Sequence, residues 1–459
     1  MDNPNTPRVV DQRTRILLEA PVIPTLLRLA TPNLFLAFMQ AMGSLADTWF
    51  ISHTGTPGLA GVALVFPLIM LMQMMSAGAI GGGVSSSIAR SLGAGNTKKA
   101  ELLAMHALLI AIIFGLLFTI IMIAAGPQLY LLLGGKGEAL TLAIAYSNII
   151  FGGAITVWLS NTFANIMRGT GNMLFPAVTL SITAALQILL CGALVLGWGP
   201  FPKLGIVGAG ISYVCAFGAA TLYFAFQILT GRKELHLSWR TLKLSMDHFK
   251  DILSVGLLSS FNTIQTIATA VIITGLVGSF GTAAIAGYGL GVRLELLQVP
   301  IIFAIGSALV PLVGISFGAK DIHRARKVTW AGAGLAACVT GSVGITVSIW
   351  PGLWAGLFSS DAAVLNVAFS YLRIAGPCYL FLGIGLALYF ASQGAGKVLW
   401  PMLAGSSRFI VAAGGGLLVI RYLGGTLSSL FLLIGMGMFV LGVGASIAIW
   451  RRVLRKPDA

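Results

Sequence analysis

Long apolar runs, each interrupted by only an occasional polar side chain, recur from one end of the chain to the other, with short polar stretches between them. Most are longer than the roughly 20 residues a helix needs to cross a hydrocarbon layer. Backbone groups facing lipid must be satisfied within the protein, which leaves helices or a closed barrel, and barrel strands need only about 10 residues. The pattern therefore predicts twelve helical spans, near 23–52, 60–88, 103–129, 141–166, 174–197, 206–229, 252–278, 284–314, 330–356, 364–391, 399–420 and 427–449. Pro32, Pro67, Pro300, Pro311 and Pro377 lie inside these runs and predict breaks in them.

Composition strengthens the membrane reading. Of 459 residues 57% are apolar and only 9% charged, against about 25% charged in soluble domains. The formal charge of +15 does not indicate nucleic acid, because the basic residues sit in short stretches between spans. One side of the membrane receives most of them, including Arg8, Arg90, Lys98, Lys99, Arg168, Arg232, Lys233, Arg240, Lys243, Lys320, Arg324, Arg455 and Lys456, whereas the other receives Lys136, Lys203 and Arg421. Basic residues mark the cytoplasmic side, so both termini are expected there, in a bacterial inner membrane. Met1 to Glu19 lacks the pattern of a cleaved secretory signal, which leaves the first span as an uncleaved one. Cys191, Cys215, Cys338 and Cys378 fall in apolar runs without metal-ligand spacing and read as small buried side chains.

The sequence also repeats. Ser91-Leu-Gly-Ala-Gly95 is echoed by Ser316-Phe-Gly-Ala-Lys320, and Arg168-Gly-Thr-Gly-Asn172 by Gln393-Gly-Ala-Gly-Lys397, both at a separation of 225 residues. Leu59-Ala-Gly61 and Ile285-Ala-Gly287 match at 226. Two lobes follow, 1–235 and 236–459, each of six spans. An even number of spans gives both the same orientation, which predicts a pseudo-two-fold along the membrane normal, an arrangement found among transporters.

Ionisable groups inside such spans are costly, and each needs a reason. Asp47 lies within the first span, where desolvation favours the neutral acid unless a cation offsets it. It is the leading candidate for a group that binds and releases H⁺ or Na⁺. Gln40 lies two turns away on the same face, and Asn33, Thr48, Asn161 and Asn165 are further candidates to line a polar cavity or to bond between helices. Arg293 and Glu295 in the eighth span point in different directions on a helix; Glu295 is a second candidate for coupling, or one half of an ion pair. Asn262 is the polar candidate in the seventh span, while Arg373 and Arg408 are able to neutralise a carboxylate or draw an anion. His106 reads as a packing histidine. Gly81-Gly82-Gly83 is not followed by the Lys-Ser/Thr pair of a phosphate-binding loop, and the loops are too short for an aqueous catalytic domain. An ion gradient is the expected energy source and no enzyme activity is expected.

With Ala46-Asp-Thr-Trp-Phe-Ile51, the Ser91–Gly95 loop and its echo, Arg293-Leu-Glu295 and Tyr389-Phe-Ala-Ser-Gln-Gly-Ala-Gly396, the chain resembles the multidrug and toxic compound extrusion (MATE) transporters, nearer to the DNA-damage-inducible branch than to the NorM-type branch. The resemblance implies an all-α membrane protein of two six-helix lobes around a central cleft. It also implies export of cationic or amphipathic organic compounds by antiport with H⁺ or, less so, Na⁺; a metabolite or lipid-linked solute is the alternative cargo. By that likeness Asp47 matches the coupling carboxylate of the first helix. NorM-like relatives carry further carboxylates in the seventh and tenth helices, where this chain offers Asn262 and no acidic residue between Tyr371 and Ser392, which favours protons. The expected partners are a small organic substrate and membrane lipids, with no nucleic acid, no resident cofactor or metal, and a monomeric chain.

Overall fold

The spans form as helices because each is long, apolar and internally hydrogen-bonded, so its backbone is satisfied without water. A computed structural model of the chain describes residues 12–230 and 244–454. Arg8, Arg232, Lys233, Arg240, Lys243, Arg455 and Lys456 lie outside the described residues. Among the described residues eleven helices are long and apolar enough to cross a membrane, and twelve when the pair Gly137–Gly152 and Ala154–Gly169, bent by 46°, is taken as one span. The others are Val22–Ser52, Thr56–Gly93, Thr97–Leu132, Leu174–Leu196, Ile206–Ile228, Met246–Gly278, Thr282–Gly318, Ile322–Ile349, Ala362–Ala395, Leu399–Tyr422 and Leu427–Val453. The protein is an all-α polytopic membrane protein. Large apolar side chains such as Ile182, Leu222 and Leu296 are exposed, the surface that a hydrocarbon solvent requires.

The prolines do not break the helices as expected. Pro32, Pro67, Pro300 and Pro311 sit inside continuous helices, and only Pro377 marks an interruption, the 3₁₀ turn Gly376–Cys378. The irregularities lie elsewhere, in wider π-turns at Met74–Ala79 and Ile410–Gly414 and in the bend at Gly153. Insertion of one residue into a helix widens the turn without removing its hydrogen bonds, which a membrane tolerates better than an open break. The cysteines also depart from expectation: Cys191 is buried, but Cys215 and Cys338 are exposed.

Contacts divide the described chain into two compact units, 31–230 with 244–256, and 12–30 with 257–454. The two crossing points, Ala30/Thr31 and Gly256/Leu257, have the 226-residue spacing that separates Leu59 from Ile285. Within each unit the sequence repeats adopt matching turns. Gly95 and Lys320 both have positive φ, 75° and 63°, and Gly171 and Gly396 do too, at 83° and 72°. After each turn of the first type a side chain caps the next helix: Asn96 accepts from the Lys99 N–H at 2.9 Å and Asp321 from the Arg324 N–H at 2.8 Å. Duplication thus preserved backbone geometry even where Gly gave way to Lys.

Glycine sets how closely helices approach. A Cβ at Gly344 would lie 2.1 Å from the carbonyl oxygen of Gly376, whereas one at Gly334, on the same helix, meets nothing within 4 Å. Gly344→Ala should therefore destabilise the protein by about 1–3 kcal/mol, and Gly334→Ala should leave it unchanged or slightly stabler. Apparent melting temperatures in detergent check the pair; equal effects would contradict this packing.

Candidate functional site

In the first unit Asp47 faces the fifth span. The Gln187 side-chain amide donates to Asp47 Oδ2 at 2.5 Å. The other carboxylate oxygen, Oδ1, is buried and accepts no hydrogen bond. Among the described residues no Lys, Arg or His forms an ion pair with Asp47. The Cys191 thiol, one turn beyond Gln187, is a further hydrogen-bond partner of the carboxylate, and the buried tyrosines Tyr146 and Tyr213 lie within its electrostatic reach. Asp47 lies in the last two turns of Val22–Ser52, where it is half-buried.

A polar chain runs on from Tyr213. Gln73 donates to the Tyr213 hydroxyl at 2.6 Å; Asn161 donates to Gln73 Oε1 at 2.9 Å and to Ser76 Oγ at 2.8 Å. Asn165 donates to the Ala77 and Asn161 carbonyls. The π-turn Met74–Ala79 lies in this chain, and its backbone supplies acceptors that a regular helix would keep for itself. Asn161 and Asn165 therefore bond between helices, which is one of the two roles their sequence allowed. Asn33 is buried, with its amide against the Met173 sulfur at 3.5 Å. Thr48 donates to the Ser44 carbonyl of its own helix, and both Thr48 and Gln40 are exposed.

The second unit is built differently at the equivalent level, because the repeat places Ile273 where Asp47 stands. Its charged group is Glu295, bonded to Arg408 Nη2 at 3.1 Å and accepting from the Tyr371 hydroxyl at 2.9 Å. Arg293 and Arg373 are exposed and do not join this pair. Arg408, Asn262 and Gln265 line a small cavity in the same unit. Gln265 and Ser406 bond each other beside it, and Gln393 donates to Ser259 at 3.0 Å. His106 is buried, one ring nitrogen at 2.7 Å from the Leu102 carbonyl and the other accepting from the Ser245 N–H at 3.1 Å, a satisfied packing histidine.

Sequence reasoning missed Gln187, Tyr146 and Tyr213; it allowed Glu295 an ion pair and Arg408 a carboxylate without matching the two. Gln187 is the one carboxamide in the apolar span Leu174–Leu196, and that rarity was the available signal. The tyrosines carried none, since aromatic residues are common in spans. Among the described residues there is no cluster of three His, Cys, Asp or Glu side chains able to hold a metal.

The family model described as MatE matches residues 32–192 and 259–416, and the chain belongs to that family. It is 28% identical over 378 residues to a FAD transporter of Shewanella oneidensis, covering 82% of each chain. It is 26% identical over 380 residues to a probable multidrug resistance protein NorM of Thermotoga maritima, covering 82% of this chain and 81% of the relative. Among solved structures, a MOP superfamily transporter from Pyrococcus furiosus, described as having a binding pocket of reverse polarity, superimposes with a TM-score of 0.88 at 24% identity, covering 97% of this chain and 99% of that one. An outward-facing multidrug resistance MATE family transporter gives 0.86 at 24%, covering 96% and 98%. At such identity these likenesses speak for the fold.

Breaking a largely buried ion pair from one side strands the other charge, at about 3–5 kcal/mol, whereas removing both charges costs less. Arg408→Gln should therefore destabilise the protein in detergent more than the double change Glu295→Gln with Arg408→Gln. A double variant at least as unstable as Arg408→Gln alone would contradict the pairing.

Proposed function

Given membership of the MatE family, we propose that the chain is a secondary active exporter of cationic or amphipathic organic compounds, driven by antiport with H⁺ through Asp47. The observation that carries this reading is the half-satisfied carboxylate: one oxygen holds the Gln187 amide, the other is buried without a partner, and among the described residues no fixed cation neutralises it. An anion so placed is poorly solvated, and a proton resolves the deficit. One carboxylate, one carboxamide and a thiol make a poor oxygen cage for Na⁺, which supports protons as the coupling ion. The branch nearer to the DNA-damage-inducible members fits the same features, since the seventh span has Asn262 in place of an acid.

In this mechanism the lobes 1–235 and 236–459 alternate between outward- and inward-facing arrangements. Protonation of Asp47 from the outer side removes its charge, weakens its hold on Gln187 and releases substrate outward; loss of the proton to the cytoplasm resets the lobe. Gln40 and Thr48, exposed on the same helix, are assigned to substrate contact, as are Asn262 and Arg293. Asn33, Asn161 and Asn165 are assigned to holding the first lobe together, and Glu295 to the second. The chain works as a monomer in a bacterial inner membrane with both termini in the cytoplasm. An anionic metabolite is the second reading, favoured by Arg408 in a cavity without carboxylates and in keeping with the relative named as a FAD transporter.

The test is transport in proteoliposomes under separately imposed pH and Na⁺ gradients. A pH gradient should drive export of cationic dyes by the native chain, and Asp47→Asn should abolish that drive; equal pH-driven export by both would remove Asp47 from the mechanism. A green fluorescent protein fused after Ala459 should fluoresce in cells, as it does only on the cytoplasmic side; an active alkaline phosphatase fusion there would reverse the topology.

A further inference from the structure

The second unit holds a cavity that proton coupling at Asp47 does not use. Residues of the seventh, tenth, eleventh and twelfth spans form it, with Asn262, Gln265, Tyr389 and Arg408 among its polar lining and Leu386 and Phe409 among its apolar lining. Its volume is about 20 Å³, enough for a water-sized group rather than a whole molecule. Gly405 makes the closeness possible, because a Cβ there would stand 2.2 Å from Asn262 Oδ1.

The polarity of the cavity is one-sided. No acidic side chain lines it. Thr266 and Thr269 at its edge spend their hydroxyl protons on the Asn262 and Gln265 carbonyls. Arg408 donates to Glu295 through Nη2, and its guanidinium forms no other hydrogen bond among the described residues. A guanidinium offers five N–H donors in a fixed fork that matches the paired oxygens of a carboxylate or phosphate. Glu295, itself held by Tyr371, lies outside the cavity lining and holds the fork through Nη2. The π-turn Ile410–Gly414 begins two residues after Arg408, and such turns re-aim neighbouring side chains, often at functional sites.

We infer that this cavity admits one oxygen of an oxyanion, the carboxylate or phosphate-like end of an amphipathic substrate, with Arg408 as the recognising cation and Glu295 as the residue that positions it. The inference deepens the export reading by adding an acidic end to the substrate, and it rests on that reading only for the direction of movement. Binding itself is independent of it.

Two fluorescent probes separate the possibilities: a rhodamine with a free benzoate, and the same rhodamine as its methyl ester. Fluorescence anisotropy with the full-length protein in detergent gives both affinities. The native chain should bind the acid on the order of 10-fold more tightly than the ester, the worth of a hydrogen bond to a charged group. Glu295→Gln should keep a preference for the acid, since it retains the cation. The double change Glu295→Gln with Arg408→Gln, which strands no charge, should lose the preference while still binding the ester. Equal affinities in the native chain would overturn the proposal. So would a preserved preference in the double variant, or equal loss of both dyes there, because the pair would then serve the fold alone. Proteoliposomes loaded with the ester keep the two readings apart: if no pH gradient moves it, the export reading fails while the acid preference remains measurable.

Discussion

A single hydrogen bond between two spans, Gln187 to Asp47, organises the account of the first lobe. It ties the end of the first helix to the fifth while leaving the second carboxylate oxygen buried and unserved. A charged carboxylate in that position lacks the solvation that water would give it, and the surrounding apolar helices supply no cation. The neutral acid does not have this deficit. The two protonation states therefore value the same helix packing differently, and a difference of that kind is what a coupled transporter needs: an ion shifts a conformational equilibrium only by as much as its affinity differs between the two states.

Duplication produced two lobes that share backbone devices but not chemistry. The αL turns at Gly95 and Lys320, the caps from Asn96 and Asp321, and the paired turns at Gly171 and Gly396 are alike. The polar interiors are not. One lobe has a carboxylate without a cation; the other has Glu295 bound to Arg408 and a cavity facing the guanidinium.

The spans were readable because lipid imposes a length and a composition that few other environments do, and the repeats because short motifs at the turns recur at one offset, with glycine kept at positive φ at Gly171 and Gly396 but not at Lys320. Proline was misleading: Pro32 and Pro311 stay inside continuous helices, since neighbouring protein accommodates the lost N–H. The site was only partly readable. Asp47 announced itself as a charge among apolar residues, but its true partner was a neutral amide 140 residues away, and nothing local marks such a contact. The same holds for Glu295, whose neighbour Arg293 is close in sequence yet turned away, while Arg408 arrives from another span.

The most direct test is to observe the proton on Asp47 itself. Infrared difference spectra of the protein in lipid, recorded across the physiological pH range and compared with Asp47→Asn, isolate the stretch of a protonated carboxyl group. The account predicts a band that disappears as the pH rises, is missing in the variant, and responds to added substrate. A carboxylate that stays ionised throughout, or a titrating band that survives Asp47→Asn, would contradict it.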